Sequence, residues 1–153
     1  MRTRILTLTV FFLLMPAVES LCQDRGFGLG VIIGEPAGVS MKGWLSSTTA
    51  VDAGAAWSFE HETSFHIHAD YFWHSFNVFS TKEKIALYYG IGGRFKVARS
   101  EDARLGARIV GGIDYMFEKA PFDLFLEAAP IVDLAPATEL QFNGGFGARF
   151  FFK

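Results

Sequence analysis

From residue 26 to the end of the chain, apolar and polar positions alternate with a period of two, the signature of strands with two unlike faces. The alternation falls into eight segments, at about 26–34, 38–45, 50–60, 64–75, 85–97, 104–117, 122–133 and 139–152. Turn-forming clusters separate them: Glu35-Pro36-Ala37, Ser46 to Thr49, His61 to Thr63, Phe76 to Lys84, Ala98 to Ala103, Glu118 to Pro121 and Leu134 to Thr138. Connections this short join antiparallel neighbours, so the pattern predicts an up-and-down meander.

Sorting each segment by parity divides the residues into two chemistries, because successive strand side chains point to opposite faces. One face carries Leu29, Val31, Ile33, Val51, Trp57, Ile67, Tyr71, Trp73, Ile91, Ile109, Leu126, Phe146 and Phe150 among others, and no charge. The opposite face carries Lys42, Asp52, Asp70, Arg94, Lys96, Arg104, Arg108, Asp114, Asp123, Glu127, Glu139 and Arg149, together with Glu60, Ser40, His66, His68, His74, Tyr88 and a concentration of glycines. An eight-stranded barrel has room inside for modest side chains and little else. The aromatic-rich face cannot fit there, whereas the glycine-diluted polar face can. The predicted fold is all-β, an eight-stranded antiparallel up-and-down transmembrane β-barrel with its apolar face in lipid.

The aromatics agree with that orientation. With both termini on the periplasmic side, Phe27, Tyr71, Trp73, Tyr115, Phe117, Phe122, Phe150 and Phe152 gather at one end, and Trp57, Phe59, Phe65 and Phe95 at the other. Two girdles are what the interfaces of an outer-membrane barrel carry. Composition gains meaning from this arrangement: the chain of 153 residues holds 17 Phe and 16 Gly, which parity assigns mainly to the lipid face and the crowded interior respectively. No apolar run beyond residue 20 reaches the roughly 18 residues of a membrane helix. A net charge of −2 supplies no footprint for nucleic acid.

The start of the chain reads differently. Arg2 and Arg4 precede an apolar run from Ile5 to Leu14, and Val18-Glu19-Ser20 follows Pro16, the layout of a secretory signal peptide. Residues 1–20 are therefore assigned as a signal peptide and 21–153 as the barrel, which predicts export to the bacterial outer membrane. Cys22 is the only cysteine, so no intrachain disulfide can form, and its flanking Glu19-Ser20-Leu21 fits a lipidation site poorly.

The stretch from Gly34 to Leu45, Gly-Glu-Pro-Ala-Gly-Val-Ser-Met-Lys-Gly-Trp-Leu, resembles the G-E-P-x-G-[IV]-S-x-K-x-W-L signature of a family of small bacterial outer-membrane barrels, represented by the spirochaetal BAPKO-type proteins. The phrases His66 to Tyr71, Tyr88 to Arg94 and Glu139-Leu140 with Asn143 to Gly145 resemble the same family. The resemblance implies fold and location, and brings no catalytic residues. The last strand, with Leu140, Phe142, Phe146, Phe150 and Phe152 alternating, resembles the signal read by the outer-membrane assembly machinery, although Lys153 follows the terminal aromatic.

The polar face offers three readings. Nearly balanced charges in a narrow space predict a salt-bridged, mostly plugged lumen. His66, His68 and Asp70 form a ladder that is able to hold a metal, the minority alternative to a structural role. Ser64 beside His61 or His66 is the single candidate for a nucleophile and base, and both Ser64 and His66 point inward by parity. The sequence therefore predicts a non-enzymatic barrel of structural or envelope-integrity role, monomeric, with no cofactor. Its partners are outer-membrane lipid, lipopolysaccharide and, during biogenesis, the assembly machinery. A conduit for small solutes or ions and an adhesin-like surface protein are the alternatives, the latter disfavoured by short outer connections.

Overall fold

The computed structural model describes residues 26–58, 64–99 and 103–152. Their regular elements are all strands: β1 Phe27–Glu35, β2 Ala37–Trp44, β3 Thr49–Ser58, β4 Ser64–Ser75, β5 Lys84–Ala98, β6 Arg104–Met116, β7 Phe122–Ala135 and β8 Glu139–Phe152. Each strand pairs antiparallel with its neighbour in sequence. β1 also pairs with β8, from Phe27 opposite Phe152 to Glu35 opposite Gly144, and this seam closes the barrel. Closure leaves no row of unpaired backbone groups at a sheet edge.

The strand boundaries lie close to those read from the alternation. β7 runs on to Ala135, past the expected end at 133, with a register shift between Leu105 and Gly106 on its partner. The signal segment 1–20, Cys22, Phe59, Glu60, His61 and Lys153 lie outside the described residues.

Burial follows parity. In β4 every second residue faces the lumen, Ser64, His66, Asp70, Phe72 and His74 buried and His68 partly so, while Phe65, Ile67 and Trp73 face out. Outward side chains near strand centres are open: Ile109 is 63% exposed and Leu126 58%, whereas Asp114 and Arg149 on the inner face are 0% and 1%. The barrel thus buries its charges and exposes its hydrocarbons, the reverse of a soluble domain.

One end of the barrel carries Phe27 and Phe152, and is termed here the terminal end. Around it run edge-to-face and stacked pairs: Tyr71 with Trp73 at 4.7 Å between centroids, Trp73 with Tyr89 at 5.7 Å, Tyr115 with Phe117 at 4.8 Å, and Phe150 with Phe122 and Phe152 at 5.1 and 5.0 Å. At the distal end Trp57 meets Phe65 at 5.4 Å. The turn 45–48 at the terminal end is held by the Ser46 hydroxyl, which accepts the Thr48 and Thr49 amides at 3.2 and 3.0 Å. Just inside that end, Trp44, Ala50, Ala86 and Met116 form a buried apolar layer with Phe76 and Phe151 packed against it. Deeper in, Ile32, Phe72, Tyr88, Val110, Phe125 and Ala129 form a second layer.

Candidate functional site

The lumen is the place where this chain concentrates chemistry. Among the described residues three ion-pair groups fill it, each including at least one contact between strands that are not neighbours in the sheet.

The first centres on Arg149 of β8. Its Nη1 lies 2.7 Å from Asp52 Oδ2 on β3, its Nε 3.1 Å from Asp123 Oδ1 on β7, and its Nη2 3.8 Å from Asp114 Oδ2 on β6. Lys42 of β2 donates to Asp114 and stands 4.0 Å from Asp123. Aromatic faces complete the surroundings: the Arg149 guanidinium sits 3.9 Å over Phe125, and Lys42 Nζ 4.5 Å over Trp44. Such stacking stabilises a desolvated cation. The Ser40 hydroxyl donates to Asp52 at 3.3 Å.

The second group holds Arg108 between Asp70, at 3.1 Å from Nε, and Glu127, at 3.3 Å from Nη2. The Tyr88 hydroxyl donates to Glu127 Oε2 at 3.3 Å. In the third, toward the distal mouth, Arg94 Nη2 donates to Asp133 Oδ1 at 2.6 Å and to Gln141 at 3.0 Å, while Arg104 pairs with Glu139 and lies 3.6 Å from Asp133. Taking ions from water into a protein interior costs several kcal/mol each unless partners surround them. Here partners from opposite walls do so.

Of the residues expected in the lumen network, Lys42, Asp52, Asp70, Arg94, Arg108, Asp114, Asp123, Glu127 and Arg149 have enclosed side chains. Lys96, Arg104 and Glu139 are not: Lys96 is half-buried, and the Glu139 side chain is 50% exposed. They stand at strand ends, where the inner face opens into the mouth.

The histidines separate from one another. His68 Nε2 is 3.6 Å from Asp52 Oδ1, and His74 Nε2 is 3.8 Å from Asp114 Oδ2. The trio whose ligating atoms converge is Asp52, His68 and Asp70. The expected ladder therefore changes by one member, because cross-strand register puts Asp52 directly opposite Asp70 while His66 points further toward the mouth. His66 and Ser64 are both buried, and neither the Ser64 hydroxyl nor a ring nitrogen of His66 makes a hydrogen bond, so these two do not form a nucleophile and base pair.

Asp133 and Phe72 are among the inward residues that escaped the sequence reading. Asp133 was passed over because inward Ala129 and Ile131 interrupt the polar alternation of β7 before it. Phe72 sits between Asp70 and His74 on the inner face of β4, 4.9 Å from the Tyr88 ring. Strict continuation of parity finds both.

No protein-family model and no curated relative matches the chain. Solved structures do match. The crystal structure of the N-terminal β-barrel domain of Pseudomonas aeruginosa OprF superimposes with a TM-score of 0.66, covering 84% of this chain and 98% of that domain at 14% identity. The fold is the small eight-stranded barrel. Neisserial surface protein A shares it, with a TM-score of 0.57 at 13% identity, covering 82% of this chain and 93% of that one. At such identities the likeness establishes architecture, and the lumen residues must be argued from their own geometry.

Proposed function

We propose that this chain is an exported bacterial outer-membrane barrel, its termini toward the periplasm, whose role is structural or envelope-supporting and whose lumen is closed to solutes. The outward apolar band, bounded by the aromatics at its two ends, supports insertion in a bilayer. The resemblance of residues 34–45 to the BAPKO-type barrels and the architecture shared with two small outer-membrane barrels point the same way. The observation that carries the closed lumen is Arg149, held at once by carboxylates from β3, β6 and β7. A guanidinium on β8 tied across the lumen to β3 and β6 crosses the path a solute would take.

The connections fit a scaffold. At the distal end β1 and β2 are joined through Pro36 alone, and β7 and β8 through residues 136–138. The connection 76–83 falls at the terminal end, away from an outside partner. Lipid and lipopolysaccharide are the surroundings this reading implies, the assembly machinery the partner during insertion, and the barrel acts as a monomer without catalysing a reaction.

The test is genetic. A strain lacking the protein is expected to become sensitive to bile salts and large antibiotics, and complementation with the Ser64→Ala chain should restore resistance fully. Unchanged sensitivity in the deletion strain contradicts an envelope-supporting role. Failure of Ser64→Ala to complement while still folded contradicts the non-enzymatic reading.

A further inference from the structure

β3 and β4 set two carboxylates face to face. Asp52 and Asp70 are cross-strand partners, both buried on the inner face. Like charges placed directly opposite destabilise a strand pair unless something of opposite charge lies between them. His68, two positions from Asp70 on the same face, turns toward Asp52, and one ligating atom from each of the three lies within 4.8 Å of the other two.

Glycines on the flanking strands make the arrangement fit. A Cβ on Gly54, opposite His68, would stand 2.5 Å from His68 Cε1 and 2.7 Å from Nε2. A Cβ on Gly92, opposite Asp70 on β5, would collide with Asp70 Oδ1. Neither side chain has its seat without a glycine beside it.

Unused bonding capacity lies in the same place. Neither Asp70 oxygen makes a hydrogen bond, although the side chain is 0% exposed. Arg108 Nε approaches Asp70 Oδ1 to 3.1 Å, outside hydrogen-bond geometry. Buried polar atoms in this condition are costly and call for a partner.

Charge gives the third argument. In the Arg149 group, Lys42 and Arg149 face the carboxylates of Asp52, Asp114 and Asp123. In the Arg108 group, one guanidinium faces Asp70 and Glu127. Each group is one positive charge short, and His68 stands on the seam between them, beside a carboxylate of each.

We propose that Asp52, His68 and Asp70 bind a divalent transition-metal ion of the Zn²⁺ class, whose two charges complete both groups. A mixed imidazole and carboxylate set suits such an ion, whereas Ca²⁺ and Mg²⁺ select shells of oxygen. Zinc bonds of about 2.1 Å in tetrahedral geometry place donors roughly 3.4 Å apart. Asp52 Oδ1 and His68 Nε2, at 3.6 Å, already stand near that spacing. A recess lined by Pro36, Asn143, Glu127, Arg108 and His68 borders the imidazole.

The experiment is titration calorimetry of the tag-free barrel, refolded in detergent and stripped with chelator, with ZnCl₂, paired with the visible absorption of the Co²⁺-loaded protein. The wild type is expected to take up one Zn²⁺ and to show ligand-field bands with Co²⁺. His68→Gln and Asp70→Asn should each weaken Zn²⁺ binding about tenfold or more, and His74→Gln, facing Asp114 instead, should stay within about twofold. Heat-modifiable gel migration confirms folding of each variant. A wild-type barrel with neither Zn²⁺ heat nor Co²⁺ bands overturns the proposal without recourse to any variant. Binding that survives both His68→Gln and Asp70→Asn overturns it as well, by placing the ion elsewhere, Cys22 included.

Discussion

Replacing Arg149 with Met removes the guanidinium that Asp52, Asp114 and Asp123 share and keeps much of its volume over Phe125. The group then holds Lys42 alone against three carboxylates, each 5% exposed or less. Deleting one partner of a buried ion pair typically costs about 3–5 kcal/mol, because the charges left behind stay desolvated. The loss expected for Arg149→Met is therefore about 3–5 kcal/mol, and Asp52→Asn added to it should return about 1–3 kcal/mol by removing one orphaned charge. Arg104→Met supplies the control. That guanidinium is 16% exposed and pairs with a half-exposed Glu139, and the buried Asp133 beside it keeps Arg94, so its loss should cost about 1–2 kcal/mol. Urea unfolding of barrels refolded into lipid vesicles, followed by tryptophan fluorescence and by heat-modifiable migration, reads all three. If Arg149→Met costs no more than Arg104→Met, the idea of a tightly enclosed ionic lumen is wrong.

Other positions give independent outcomes in the same unfolding assay. Ile109→Arg, at the centre of β6 and fully outward, should cost about 2–4 kcal/mol in a bilayer, and a neutral result contradicts the lipid-facing assignment. Gly54→Ala should lose about 1–3 kcal/mol by driving a methyl into the His68 ring, while Gly43→Ala, whose new carbon meets Val51 at 3.6 Å, should be nearly neutral. Equal effects at the two glycines would show that the ring is free to move. Trp44→Ala should cost about 3–5 kcal/mol by emptying the apolar layer at the terminal end, where its ring meets His74 at 4.4 Å; an unchanged midpoint would mean the layer is not packed.

Most of the barrel was legible because strand parity is a local property that lipid and lumen amplify. Ile67, Ile91 and Ile109 alternate with His66, Gly92 and Arg108 so sharply that the inner and outer faces need no tertiary information. Which inner residues meet was not legible. Pairing of Arg149 with Asp52 spans 97 positions and depends on register around the closed seam, which one strand at a time does not reveal. The metal trio shows the same limit: His66, His68 and Asp70 share a strand, yet cross-strand alignment replaces His66 with Asp52. Asp133 was hidden for another reason, since apolar inward neighbours erased the alternation that would have identified it.

The closed lumen is the claim on which the functional reading turns, and planar-bilayer recording of the refolded barrel tests it most directly. Arg149 held by carboxylates of β3, β6 and β7, with Trp44, Ala50, Ala86 and Met116 packed beneath, predicts flat current traces at either polarity. Reproducible unitary steps from the wild-type barrel would contradict it and make the chain a conduit.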